Sequence, residues 1–160
     1  MSVQKQTIIV VGTGYVGLPA ALLLAKAGHE VIGVDINENL VRAINEGIMH
    51  IREEELQILM DDPAVKQNLR AQSTPVEGDV FIIAVPTPLD ARKKIADMSY
   101  VDDAVESIIP YLRAGNLVII ESTIKVVFDQ REYVTVVGIC QELFSFISSC
   151  NQSAFFILRG

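Results

Sequence analysis

The chain has 160 residues, 50% hydrophobic and 21% charged, with a formal net charge of −7. That length supports one hydrophobic core and leaves little room for a second domain, and the composition is globular rather than disordered. The acidic balance argues against a nucleic-acid partner, whose phosphates call for a basic surface, and no run reaches the ~18 uncharged apolar residues that span a bilayer.

In chain order, the apolar run Thr7–Val11 predicts a first strand. It passes through Gly12-Thr13-Gly14-Tyr15-Val16-Gly17 into a helix over about 15–27, which Gly28 is placed to end. Leu18 to Ala25 is rich in alanine and leucine, but the strand and glycine turn before it do not fit a secretory leader. The reading is a cytoplasmic protein. A second apolar run over 31–35 ends in Asp35. Asn37 caps a helix over about 38–46, and Gly47 ends it. Residues 53–60 and 64–68 read as short helices split by Pro63, followed by a short third strand over Leu69–Gln72. Residues 79–85 read as a strand buried on both faces, stopped by Pro86-Thr87-Pro88. The polar stretch 90–97 reads as a mobile loop. Ser99 is placed to cap a helix to about 114, kinked at Pro110, before Gly115-Asn116 turns the chain into a strand over 117–121. Strand and helix alternate as a doubly wound parallel sheet requires.

Composition breaks near Ile124. All six prolines and both histidines lie before it, and that part carries the whole charge of −7. The last 36 residues hold both cysteines and five of the six phenylalanines. The expected organisation is one domain over 1–124 and an atypical tail over 125–160, either docked on that domain or partly disordered. Cys140 and Cys150 lack metal-type spacing and partner histidines, so no metal site is expected. The apolar Phe155-Phe156-Ile157-Leu158 is an aggregation hazard if exposed.

The glycine turn carries most of the functional information. Gly12 permits a tight strand-to-helix turn, Gly14 lets the backbone approach a pyrophosphate, and Gly17 lets the helix pack closely on the sheet. A helix start offers N–H groups and a positive dipole end to a diphosphate. Asp35, twenty-one positions after Gly14, is placed to accept hydrogen bonds from ribose hydroxyls. A carboxylate there repels a 2′-phosphate, so the expected cofactor is NAD rather than NADP. The plainer alternatives are a turn that binds nothing and an Asp35 that only caps a strand end. Thr87 and Thr123 offer hydroxyls where a nicotinamide and its ribose lie, or they serve ordinary strand-end turns. Glu121 is either a ligand contact or a solvated strand end. His50 reads as structural, and Glu53-Glu54-Glu55 as a solvated helix start.

Gly12-Thr13-Gly14-Tyr15-Val16-Gly17-Leu18-Pro19, Val34-Asp35-Ile36-Asn37, Ala84-Val85-Pro86-Thr87-Pro88 and Glu121-Ser122-Thr123 together resemble the UDP-glucose/GDP-mannose dehydrogenase family over about residues 5–124. Within it, Gly17-Leu18-Pro19, His50-Ile51 and Pro86-Thr87-Pro88-Leu89 are most similar to the branch acting on UDP-N-acetyl-D-mannosamine. The resemblance implies a Rossmann-type fold and oxidation of a nucleotide-sugar C6 alcohol to a carboxylate with two NAD+. It also implies NAD contacts at Tyr15, Val16, Asp35, Thr87 and Thr123, with Thr123 helping to hold a water.

The family continues past Glu-Ser-Thr-Ile with a proline-containing turn, where this chain reads Lys125-Val126-Val127-Phe128. The resemblance places the family's nucleophilic cysteine, lysine and asparagine in later segments that find no match here. Cys140 and Cys150 therefore do not inherit the nucleophile role, and the tail reads as that of a truncated or frame-shifted product. Three readings stay open: the cofactor half of a nucleotide-sugar dehydrogenase, a non-catalytic NAD-binding module, and a non-functional fragment. Oligomeric state stays open too, because the resemblance implies pairing through a later helix.

Overall fold

The computed structural model describes residues 4–51, 53–90, 95–121, 126–128, 134–136 and 155–158. The chain forms a six-stranded parallel sheet. Its first three strands are β1 (Thr7–Val11), β2 (Glu30–Val34) and β3 (Leu69–Gln72). The chain then returns past β1 to form β4 (Val80–Ile83). Two short ribbons follow β4 in sequence: β5 (Leu89–Asp90) pairs antiparallel with β6 (Ile95–Ala96), and β8 (Val126–Phe128) with β9 (Val134–Val136). The sheet is completed by β7 (Leu117–Ile120) and β10 (Phe155–Leu158), in the order β10-β7-β4-β1-β2-β3.

The helices cover both faces. They are α1 (Gly17–Lys26), α2 (Glu38–Asn45), α3 (Glu54–Asp61), α4 (Pro63–Asn68) and α5 (Ser99–Ile108). Side chains alternate along each strand, which splits the core in two. Ile8, Val10 and Val31 face one layer with Leu18, Ala21, Leu22 and Ala25 of α1 and Met60 and Val65 beyond it. Ile9, Val11, Ile32, Phe81 and Ile83 face the other, against Val101, Val105 and Ile108 of α5. The spacing 18, 21, 22, 25 puts the four α1 residues on one stripe, and all are fully buried. No helix among the described residues is long and apolar enough to cross a membrane.

Two asparagines finish the sheet with polar contacts. On edge strand β3, the Asn45 amide donates to the Ala71 carbonyl at 2.9 Å, and its Oδ1 accepts the Ala71 N–H at 2.8 Å. It thereby fills the place a further strand would take. Buried Asn116 donates to the Gly78 carbonyl at 2.8 Å and accepts the Arg113 N–H at 2.7 Å, closing the turn before β7. Across α3 and α4, the Gln57 amide and the Lys66 ammonium hold the Asp61 carboxyl below its ordinary value.

The structure departs from the sequence reading at several boundaries. The first helix starts at Gly17 rather than Tyr15, and the fourth strand of the sheet is limited to Val80–Ile83. The expected helix to about 114 ends at Ile108, and Ile109–Tyr111 forms one 3₁₀ turn, because Pro110 has no N–H to continue the ladder. Its start is held by Asp97, whose Oδ1 accepts the Ser99 N–H at 3.0 Å, and not by the Ser99 side chain. Part of the expected loop over 90–97 is the β5–β6 ribbon, where neighbouring backbone groups satisfy one another. Residues 91–94 lie outside the described ones, as do Cys140 and Cys150. From the tail, Phe155–Leu158 pairs with β7 in parallel register from Phe155↔Leu117 to Leu158↔Ile120.

Replacing Asn45 by Ala removes both bonds to Ala71. The expected loss is about 1–2 kcal/mol in urea unfolding, two ordinary hydrogen bonds' worth; an unchanged midpoint would mean that solvent serves the edge equally well.

Candidate functional site

Strand register brings the site together. Val11 is level with Val34 on one side and Ile83 on the other, and Ile83 is level with Ile120. The residues just beyond, Gly12, Asp35, Ala84 and Glu121, therefore form a row along the carboxyl edge. Main-chain bonds extend it: Gly12 N–H to the Val34 carbonyl, Ala84 N–H to Val11, and Glu121 N–H to Ile83, each at 2.8 Å. The strand order reverses between β1 and β4, since β2 and β3 lie on one side and β7 and β10 on the other. That switch point is where open α/β sheets leave a crevice for ligands.

The three glycines have different physical reasons. Gly12 has φ +90°, and a Cβ there would stand 2.6 Å from the Ala84 carbonyl oxygen. A Cβ on Gly17 would stand 1.8 Å from the Gly12 carbonyl oxygen. These two are demanded by the fold itself. Gly14 has no positive φ, and a Cβ on it would meet nothing within 4 Å. Nothing among the described residues requires glycine there, so the open space in front of it is the informative feature. Helix α1 begins beside it with no side-chain cap and no acidic residue in its first turn, so no side chain of its own offsets its positive end. Tyr15 is 81% exposed, and Val16 is exposed as well.

Asp35 points back at this turn. Its Oδ2 accepts the Thr13 N–H at 2.9 Å and the Thr13 hydroxyl at 2.8 Å, and its Oδ1 accepts the Asn37 N–H at 3.0 Å. Thr13 is completely buried, while the neighbouring Ile36 is 90% exposed and offers an apolar surface beside the carboxylate. Gly33, inside β2, leaves the space that Thr13 Cγ2 occupies, 2.9 Å from where its Cβ would be. Sequence reasoning passed over both Thr13 and Gly33. The available signal was a glycine within a buried strand, which marks a close approach by another group.

Thr87 lies half-buried past β4, and Glu121 half-buried past β7. Thr123 lies outside the described residues. His50 is half-buried, and its Nδ1 is enclosed without a hydrogen-bond partner among the described residues. Glu54 and Glu55 occupy the first turn of α3, in solvent. Among the described residues no cluster of three or more His, Cys, Asp or Glu could hold a metal ion.

A glycine turn, an uncapped helix start and a carboxylate on the neighbouring strand end are the parts of a Rossmann-type dinucleotide site. The donor set fits such a cofactor: main-chain N–H groups for a diphosphate, and one carboxylate for ribose hydroxyls. The chain belongs to the UDP-glucose/GDP-mannose dehydrogenase family, matching its NAD binding domain over residues 6–144. NAD is accordingly its cofactor, and the family acts on nucleotide sugars.

Among relatives, the UDP-N-acetyl-D-mannosamine dehydrogenase of Methanocaldococcus jannaschii is 50% identical over 120 residues, 73% of this chain and 28% of that protein. The NDP-N-acetyl-D-galactosaminuronic acid dehydrogenase of Ralstonia nicotianae is 46% identical over 123 residues, 77% of this chain and 29% of that protein. Among solved structures, the UDP-N-acetyl-mannosamine dehydrogenase Cap5O from Staphylococcus aureus superposes with a TM-score of 0.79 at 33% identity, over 95% of this chain and 36% of that one. The chain thus spans about three tenths of the length of the curated relatives it matches.

The two glycine types separate by experiment. Gly17→Ala is expected to lose about 3 kcal/mol or more of stability, or to fail to fold, because the clash is with backbone. Gly14→Ala should stay within about 1 kcal/mol of the parent. Chemical denaturation of both variants checks this, and equal losses would contradict the division of roles.

Proposed function

We propose that this chain is the NAD-binding part of a nucleotide-sugar 6-dehydrogenase whose substrate is UDP-N-acetyl-D-mannosamine. Gly12 and Gly17 shape the turn, and Gly14 leaves room for the diphosphate against the start of α1. Tyr15 and Val16 line that entrance. Asp35 accepts from the adenosine ribose and disfavours a 2′-phosphate. Thr87 and Thr123 serve the nicotinamide end, and Thr123 also orients a water. Bound NAD+ supplies the hydride acceptor for oxidation at the sugar C6.

The single observation that carries the reading is the Asp35 carboxylate standing at the end of β2, tied to the glycine turn by Thr13. The similarity to UDP-N-acetyl-D-mannosamine dehydrogenases supports the sugar, while the Ralstonia relative at 46% identity favours an N-acetylgalactosamine-type nucleotide as the second reading. By itself the 160-residue chain binds the cofactor without completing the reaction. The family resemblance assigns the thiol, lysine and asparagine of that reaction to segments with no counterpart in this sequence.

Calorimetric titration of the purified chain tests the cofactor reading. Saturable binding of NAD+ is expected, with NADP+ weaker by about tenfold or more, equivalent to ~1.4 kcal/mol. A folded, monodisperse sample that binds neither, or prefers NADP+, overturns it. Mixed with NAD+ and UDP-N-acetyl-D-mannosamine, the chain should give no absorbance from NADH; steady NADH formation would refute the claim that it lacks the full reaction.

A further inference from the structure

We propose that Thr13, seated in a notch opened by Gly33, is a positioning residue that fixes the Asp35 carboxylate and so sets the preference for NAD over NADP. The inference rests on the NAD reading above and adds two residues to it.

The Thr13 hydroxyl and N–H converge on one oxygen, Oδ2, at 2.8 and 2.9 Å. The Asn37 N–H takes a position on Oδ1 at 3.0 Å. A carboxylate has about four lone-pair sites, so three donors from the protein leave acceptor capacity chiefly on Oδ1. Ribose recognition then falls on an oxygen of set direction rather than on a carboxylate free to turn. Thr13 is fully buried, so water cannot readily take the place of its hydroxyl. Its methyl group occupies the space beside Gly33, 2.9 Å from the position of a Cβ there. A methyl added at residue 33 must therefore displace Thr13 and, with it, the hydroxyl that holds Oδ2.

The consequence for selectivity follows from charge. A carboxylate held by two donors on its inner oxygen cannot swing away from an incoming 2′-phosphate, and the like charges repel at full strength. Without the hydroxyl, the group is held by one N–H on each oxygen, from Thr13 and from Asn37, and turns more freely, which weakens its bond to the ribose and its repulsion of the phosphate.

The experiment measures Kd for NAD+ and NADP+ with wild type, Thr13→Val, Thr13→Ser and Gly33→Ala. Thr13→Val keeps the volume and removes the hydroxyl donor, leaving the main-chain N–H on Oδ2. It should lower the NADP+/NAD+ discrimination by about tenfold, the scale of one lost hydrogen bond to a charged group. Thr13→Ser should restore it, and Gly33→Ala should shift it as Thr13→Val does. A purely structural Thr13 would weaken both cofactors equally and leave the ratio unchanged, which overturns the proposal. Wild type also supplies a test that needs no variant to fold: its Thr13 hydroxyl proton should be slow to exchange by NMR, and a rapidly exchanging one overturns the proposal. Failure of wild type to prefer NAD+ would instead overturn the cofactor reading itself.

Discussion

The close stacking of Gly17 on the Gly12 carbonyl, with Gly12 pressed against Ala84, is the contact on which the architecture turns. Neither glycine has room for a single additional carbon, and Gly12 needs a positive φ as well. The pair lets the chain leave β1, reverse within five residues and enter α1 directly over the sheet. That reversal places the α1 stripe of Leu18, Ala21, Leu22 and Ala25 on the sheet face, where burial of each leucine is worth about 1.5–3 kcal/mol. Close packing and the start of a ligand site are thus one geometric feature.

Parallel register does the rest of the placing. Four strands end level, so four unrelated segments deliver Gly12, Asp35, Ala84 and Glu121 to one edge. The first turn of that helix has no carboxylate of its own, and Asp35 on the adjoining strand end is already engaged by Thr13 and Asn37. A positive pole thereby lies beside an acceptor whose inner oxygen is occupied. Diphosphate and ribose of one dinucleotide match those two characters in that order.

At the outer edges, different solutions meet the same problem of unpaired backbone. On β3, Asn45 imitates a neighbouring strand with one amide. On the other side, β10 pairs with β7 and moves the edge outward to the apolar run Phe155–Leu158. The first is a polar stop that discourages further pairing. The second extends the sheet with the part of the chain whose composition differs most from the rest.

Sequence by itself determined the class of fold and marked the glycine turn and the acid that follow one another along it. Apolar runs punctuated by glycine and proline, the glycines that backbone geometry demands, and an acid closing the second strand are local features, each readable within about thirty residues. Only tertiary structure decided how those features are used. Thr13 on Asp35, Asn45 on Ala71 and Asn116 on Gly78 join residues 22, 26 and 38 positions apart. Their polar side chains fit many local contexts equally well, and the partner is chosen by which strands become neighbours. The pairing of β10 with β7 belongs to the same class, since an apolar four-residue run can join any open edge. Strand order, a property of the whole chain, selected which edge it met.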